Sequence, residues 1–280
     1  MNIIGLGKAG CKIAELFNQY SQYTVFKLDS DEKLKRKKNC IYIPTQGSVE
    51  LYDSNPVNLN KLKKNLDDDK ELYFILCGTG KVAGSSLWIL RELSDYKINI
   101  IYIKPNLETV DNKSKLRHRV HFHVLQEYAR SGVFERFIII DNTMVSDIIG
   151  KTSILNYYNN INKFILNTIH WLNIYNNTEP VFDTYRDEIK TSRICTLSFV
   201  DMEEEEEREI FFLKNCNKIK YFYGVNRIKI ESDDNLLEKV NRISTKDKED
   251  KTSISYGIYP TDLDTGVCFA LKSSSTIQQE

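Results

Sequence analysis

The sequence predicts an α/β protein: a parallel-sheet domain, a long central helix and a smaller mixed α+β C-terminal domain. Three observations carry this. Short apolar runs near residues 2–4, 73–76, 98–103 and 137–140 alternate with stretches of helical periodicity, as strands buried on both faces of a parallel sheet do. Two of those runs end in glycine-rich loops, GLGKAG and CGTGKVAGSS. Residues 152–173 carry apolar side chains around much of a helical circumference, and after them the alternation of strands and helices changes character.

Taken in order, Ile3 and Ile4 form a strand, and Ile13, Leu16, Phe17 and Tyr20 fall at the i, i+3, i+4, i+7 spacing of an amphipathic helix. Strands follow at 23–29 and 40–43. Residues 44–70 are polar and turn-rich, with a short helix near 58–66. The strand at 73–76 leads through the second glycine loop into a helix over 87–93. The run INIIYI ends at Lys104 and Pro105, a helix spans about 116–130, and FIIID closes the unit at Asp141. In the long helix Ile154, Tyr158, Ile161, Ile165, Ile169 and Leu172 form one stripe, with Leu155 beside it, which predicts burial between two bodies. Beyond it, strands at 196–200, 218–225, 253–259 and 266–271 surround a helix at 234–243, and the last two strands read as a hairpin over PTDLDT. The expected division is 1–175, 176–272, and a polar tail at 273–280 that frays.

The chain has 280 residues, a formal net charge of +0 and 41% hydrophobic content, which excludes a disordered tail, a collagen-like rod and a polycationic nucleic-acid coat. No nucleic-acid partner is expected. Six cysteines at 11, 40, 77, 195, 216 and 268 form no Cys-x-x-Cys pair, the usage of a reducing cytoplasm. No signal peptide and no membrane span are expected, since no window approaches about 18 consecutive apolar residues. A cytoplasmic location is the expectation from these features.

Gly5, Gly7 and Gly10 sit where a strand turns into a helix, and glycines there let backbone amides approach a phosphate closely. The first unit therefore reads as a Rossmann-like, parallel-sheet nucleotide-binding domain. Asp29 ends the second strand about 20 residues on, as a dinucleotide fingerprint requires, so an NAD-dependent oxidoreductase is one reading. The second loop, with Gly78, Thr79, Gly80 and Gly84, is surplus to that fold, and two cradles on adjacent strands suit one polyphosphate.

Here the chain resembles the tubulin/FtsZ family of filament-forming GTPases, as a divergent member. GKAGCKIAELF is similar to the family's GQ-x-GNQIG element and CGTGKVAG to its GGGTG[ST]G signature, with Cys77, Lys81 and Val82 as departures. YNNINKFI resembles the tubulin run YGDLNHLV, which puts Tyr158 and Asn162 at the positions that stack on guanine and read its edge. IIIDN, ending at Asn142, resembles the FtsZ strand IxIPND, and LLEKVNRI, SISYGIY and GVCFAL resemble the second domain. The resemblance implies GTP or GDP as ligand, Mg2+ as a possible companion, and head-to-tail polymerisation of the chain with itself. It implies nucleotide contacts at Gly7, Lys8, Ala9, Gly10, Cys11, Gly78, Thr79, Gly80, Lys81, Glu108, Asn142, Tyr158 and Asn162.

For hydrolysis the family supplies a water-orienting carboxylate from the next subunit, after the long helix. EPVFDTYRDEIK is the equivalent stretch, so Asp183 and Asp187 are the catalytic candidates, although Arg186 stands where the FtsZ motif NxDxxD has its second acid. Turnover is expected to be slow or absent, and a non-hydrolysing structural relative is the alternative within the same fold. Lys8 or Lys81 is expected to contact phosphate and replace part of the metal's charge. His118, His121 and His123 lack a fourth ligand for zinc and read as a solvated helix start. Glu203 to Glu207 read as a solvated helix face, or as a partner for the basic stretch Lys33 to Lys38 of a neighbouring copy.

Overall fold

The computed structural model describes residues 1–66, 71–185, 191–246, 252–264 and 266–279. Its first half alternates strand and helix: β1 (Asn2–Leu6), α1 (Gly7–Leu16), β2 (Thr24–Asp29), β3 (Cys40–Tyr42), α2 (Val49–Ser54), α3 (Asn60–Lys63), β4 (Glu71–Leu76), α4 (Ser86–Glu92), β5 (Lys97–Lys104), α5 (Asn112–Arg130), β6 (Arg136–Asp141) and α6 (Asn142–Ile149). The central helix α7 (Tyr157–Asn176) leads into β7 (Phe182–Asp183), β8 (Ile194–Asp201), β9 (Glu206–Glu209), β10 (Lys218–Asn226), α8 (Arg227–Ser232), α9 (Leu236–Thr245), β11 (Ser253–Thr261) and β12 (Cys268–Ser274).

The first six strands are parallel, in the order β3-β2-β1-β4-β5-β6. The sheet continues through β6 and β8, which pair in parallel at Phe137 with Ile194 and Ile138 with Cys195, into β12, β10, β11 and β7. Because successive strand residues point to opposite faces, Ile3 and Ile4 enter different cores. Ile4, Phe74, Ile100 and Tyr102 pack under α4 and α5 through Trp88 and Phe122. Ile3, Tyr73, Ile75, Ile101 and Ile138 meet α1 and α7 through Ile13, Phe17, Ile161, Ile165 and Ile169. Sequence alternation is missing in these strands because both faces are covered.

Helix α7 has 20 residues and spans about 30 Å. Its first turns lie over the parallel sheet. At its far end Tyr175 packs against Tyr259, with ring centroids 4.6 Å apart, and against Phe269 at 5.5 Å, so one core runs across both halves. Burying each such side chain contributes roughly 1.5–3 kcal/mol, enough collectively to hold the halves in one arrangement.

Several sequence expectations need correction. The stripe expected for α7 includes Ile154 with Leu155 beside it, yet both precede the helix and each is 94% exposed. β11 and β12 do not form a hairpin. β10 lies between them, parallel to β11 and antiparallel to β12, because the connecting segment crosses the end of β10. That crossing is tight: Val267 accepts a hydrogen bond from Gly224 N–H at 3.2 Å, and a Cβ on Gly266 would fall 1.8 Å from the Gly224 carbonyl oxygen. The acidic run is a turn followed by strand β9, since Asp201 caps the turn and Ser198 to Asp201 pair with Glu206 to Glu209. Its acids are engaged within the chain, Glu203 with Lys229 and Lys239, Glu205 with Arg242 and Glu207 with Lys272.

His118 and His121 lie on the buried face of α5, where Tyr102 Oη sits 2.8 Å from His118 Nδ1 and His121 Nδ1 lies 2.7 Å from the Arg117 carbonyl. The helix begins earlier than its periodicity suggests, at an Asp111 side chain that accepts Ser114 N–H, so these histidines are mid-helix. Nor do residues 273–279 fray: Gln278 is 1% exposed, donates its N–H to Gln126 Oε1 on α5 at 2.7 Å, and accepts Lys214 N–H on its side chain at 2.8 Å.

The joint between α1 and α7 contains a titrating group. His170 stacks on Tyr20 at 3.8 Å, its Nδ1 lies 2.9 Å from Tyr23 Oη, and Asn173 donates to the same oxygen at 3.2 Å. Burial holds the His170 imidazole below its ordinary value of 6.5, and burial acts on His121 in the same direction. The folded state therefore binds fewer protons than the unfolded state once pH falls below that value, and stability is lost from there downward. Urea midpoints measured at about pH 7.5 and about pH 5.5 should fall with pH, and His170→Gln, which keeps an uncharged acceptor, should flatten the slope.

Candidate functional site

Glycine packing defines the site. A Cβ on Gly5 would lie 2.4 Å from the Gly10 carbonyl oxygen, and one on Gly10 would lie 2.2 Å from the Ile75 carbonyl oxygen. These two residues let α1 lie directly on β1 and β4. Gly7 differs: its φ is +71° and a Cβ there would meet nothing within 4 Å. It turns the chain from strand to helix while leaving space in front of the first turn. No side chain caps that turn, so the amides of Gly7, Lys8 and Ala9 face outward at the positive end of the helix dipole.

The second loop divides in the same way. Gly78 is held by packing, since a Cβ there would fall 2.1 Å from Tyr102 Oη, and so is Gly84, where a Cβ would fall 2.4 Å from the Val49 carbonyl oxygen. Gly80 is exposed and a Cβ there would meet nothing. Arg117 of α5 donates Nε–H to the Thr79 carbonyl at 2.7 Å, and the Thr79 hydroxyl lies 3.2 Å from Cys77 Sγ. Each loop thus contributes one glycine open to a ligand, Gly7 and Gly80, at the carboxyl ends of neighbouring strands β1 and β4. Open sheets of this kind bind ligands at such strand ends.

The other candidate residues fall into buried and open positions around these loops. The Cys11 thiol turns inward and donates to the carbonyls of Gly5 at 3.3 Å and Leu28 at 3.4 Å, and burial pushes it up to about 12, so it stays a neutral packing group. Lys81 Nζ donates to the Gly47 carbonyl at 3.3 Å, while Lys8 is exposed. Glu108 is exposed in a turn after β5, organised by the Asn106 side chain accepting Glu108 N–H at 2.9 Å. Asn142 opens α6 just beyond β6, and its Oδ1 is buried with no hydrogen-bond partner among the described residues. A buried acceptor left so is costly unless a ligand fills it.

Lys163, Leu166 and Asn167 of α7 border one cleft with Glu15, Leu16 and Tyr20 of α1 and the turn after it, and His170 further along α7 reaches Tyr20 past the end of α1. The two helices therefore run in the same direction, which brings Tyr158 and Asn162 to the end where α1 begins. Four residues apart, they share a helix face, with Tyr158 65% exposed.

Asp183 stands elsewhere. It is exposed on β7, the last strand of the sheet, paired with Gly257, and seven strands separate β7 from β1. At roughly 4.8 Å per strand that is on the order of 40 Å along the sheet. Asp187 lies outside the described residues. The sequence reading missed two groups: Lys104, which bridges the ends of β5 and β6 through an ion pair to Asp141 at 2.5 Å, and Arg117, which clamps the second loop. A charge closing an apolar strand was the available signal for the first. Among the described residues no group of three or more potential ligands could hold a metal ion, and no helix is long and apolar enough to cross a membrane. A divalent ion here would need phosphate oxygens as its main ligands.

At the level of sequence, no family model and no curated protein matches the chain. Its structure is similar to solved structures over nearly its whole length. TubZ from Bacillus thuringiensis serovar israelensis, in a GTPγS-form protofilament, superposes with a TM-score of 0.71 at 16% identity, covering 97% of this chain and 86% of that one. An empty FtsZ dimer from M. jannaschii gives 0.70 at 9% identity, covering 98% and 87%. CetZ2 from Haloferax volcanii, a GTPγS-bound protofilament, gives 0.71 at 13%, covering 98% and 93%. The chain has the tubulin/FtsZ fold.

The packed and open glycines should respond oppositely to a methyl group. Gly10→Ala should cost about 1–3 kcal/mol in urea unfolding because its methyl group has no room. Gly80→Ala, with open space and φ −74°, should change stability by less than about 0.5 kcal/mol.

Proposed function

We propose that the chain binds a guanine nucleotide, GTP or GDP, across its two glycine loops, assembles head to tail with further copies, and hydrolyses GTP slowly at the junction. The observation that carries this reading is the pair of open glycines, Gly7 and Gly80, on adjacent strand ends, within a fold whose solved examples include GTPγS-form and GDP-form TubZ protofilaments. The α1 amides receive the phosphates, Tyr158 offers a ring for the base to stack on, and Asn162 and Asn142 offer amides to its edge or to the ribose. Mg2+, when bound with the phosphates, would offset their charge.

Assembly is supported by two apolar patches at opposite ends of α7. Ile154 and Leu155 lie before its first turn, beside Tyr158, and the half-exposed Val181 and Phe182 lie beyond its last. Burying one against the other is a heterologous contact, and such contacts propagate into open filaments when they do not close. The same contact would carry Asp183 to the nucleotide of the next copy, which it cannot reach within its own chain. There its carboxylate would orient the attacking water. A non-hydrolysing assembly is the second reading, favoured by the bond that Asp183 Oδ1 already accepts from Tyr185 N–H at 2.9 Å.

Incubation with GTP, GDP, ATP and NAD, with bound nucleotide, phosphate release and sedimentation measured together, tests all three claims. GTP-dependent pelleting with release supports the leading reading; pelleting without release supports the second, and selective NAD binding overturns both. Gly80→Leu should weaken nucleotide binding by at least about tenfold with the fold retained. Leu155→Asp or Phe182→Asp should abolish pelleting while leaving binding intact. Asp183→Ala should lower phosphate release by about a hundredfold or more without preventing assembly.

A further inference from the structure

Beside the first glycine loop, α1 and the segment after β2 enclose a cleft of about 550 Å3. Five lysines line it: Lys8 and Lys12 from α1, Lys27 from β2, and Lys33 and Lys37 from the following segment. Three carboxylates line it too. Glu15 holds Lys27 at 2.6 Å, Asp29 accepts Ser30 N–H at 2.8 Å, and Asp31 accepts Lys33 N–H at 2.9 Å. Lys8, Lys12, Lys33 and Lys37 make no ion pair among the described residues, although Lys8 acts on Asp29 through space, and five ammonium groups against three carboxylates leave the lining with an excess of two positive charges.

The walls are built rather than incidental. Lys8 and Lys12 are four apart on α1 and share a face. The segment carrying Lys33 and Lys37 is anchored by Leu34, which is buried, by the Asp31 cap, and by Lys61 Nζ donating to the Lys37 carbonyl at 3.3 Å. Strand order gives the cleft its place. Along the carboxyl ends run Asn142 after β6, the second glycine loop after β4, Gly7 after β1, and then the lysines after β2. A nucleotide whose base lies toward Tyr158 and Asn142 presents its last phosphate to this cleft.

We propose that the cleft is a phosphoryl-anion subsite, which rests on the nucleotide reading for its orientation. It takes the terminal phosphate of a bound triphosphate, or free orthophosphate beside a diphosphate. Lysine charge then distinguishes triphosphate from diphosphate even without a divalent ion.

The test uses the full chain and Lys12→Ala/Lys37→Ala, with Lys38→Ala/Lys64→Ala as a control that removes two exposed charges outside the cleft. GTPγS and GDP affinities are measured in Mg2+ and in EDTA. The wild type should favour GTPγS by at least about tenfold in EDTA, and the cleft variant should lose that preference while its GDP affinity stays within about twofold. In a second arm, the GDP-loaded chain is titrated with orthophosphate. Saturable binding lost in the cleft variant assigns the site to free phosphate; a preference change without it assigns the site to the terminal phosphate. An unchanged preference together with no lysine-dependent orthophosphate binding overturns the proposal, as does an equal effect in the control. If neither nucleotide binds, the nucleotide reading fails, and orthophosphate titration of the nucleotide-free chain decides the subsite alone.

Discussion

The close approach of Gly10 to the Ile75 carbonyl governs the placement of both glycine loops and of the central helix. With no Cβ at Gly5 or Gly10, α1 settles onto β1 and β4, and its first turn comes to the rim of the sheet between the loops of three strands. A helix held even an ångström further out would carry its amides away from Gly80 and open the seat of the Cys11 thiol. Because α7 packs on α1, the same contact sets where Tyr158 and Asn162 stand. Backbone packing, with no catalytic side chain involved, thus organises both ends of the candidate ligand.

The second organising element is the aromatic end of α7. Tyr175 meets Tyr259 and Phe269 and donates its hydroxyl proton to the Val267 carbonyl at 2.8 Å, so the strap crossing β10 is fastened to the helix that starts beside the glycine loops. Any axial shift of α7 must be felt in both places. His170, further along, ties the helix to Tyr20 through a stacked ring and to Tyr23 through a hydrogen bond.

The parallel half was legible in the sequence because its physics is local: apolar runs such as FIIID need two covered faces, and glycine clusters mark strand-to-helix turns. The role of each glycine was not, since Gly7 and Gly10 look alike until the Ile75 carbonyl is in view. The C-terminal half misled for the same reason. PTDLDT reads as a hairpin turn locally, and only the pairing of β10 with both neighbours reveals a crossing. Acids at 203–207 suggested a free charged face, whereas their lysine and arginine partners lie tens of residues away in the chain. Lys12 gave no signal of its own, because convergence with Lys33 and Lys37 exists only in three dimensions.

The docking of Gln278 on Gln126 bears on how the chain acquires its structure. Gln126 is fully buried on α5, and its amide donates to the Phe122 and Gln278 carbonyls while accepting Gln278 N–H. On the ribosome, Gln126 is made 152 residues before its partner. Until then the layer that clamps the second glycine loop through Arg117 carries an unmet polar group. The layer that clamps the second glycine loop through Arg117 therefore gains this polar partner only after the strands of the other half have been made.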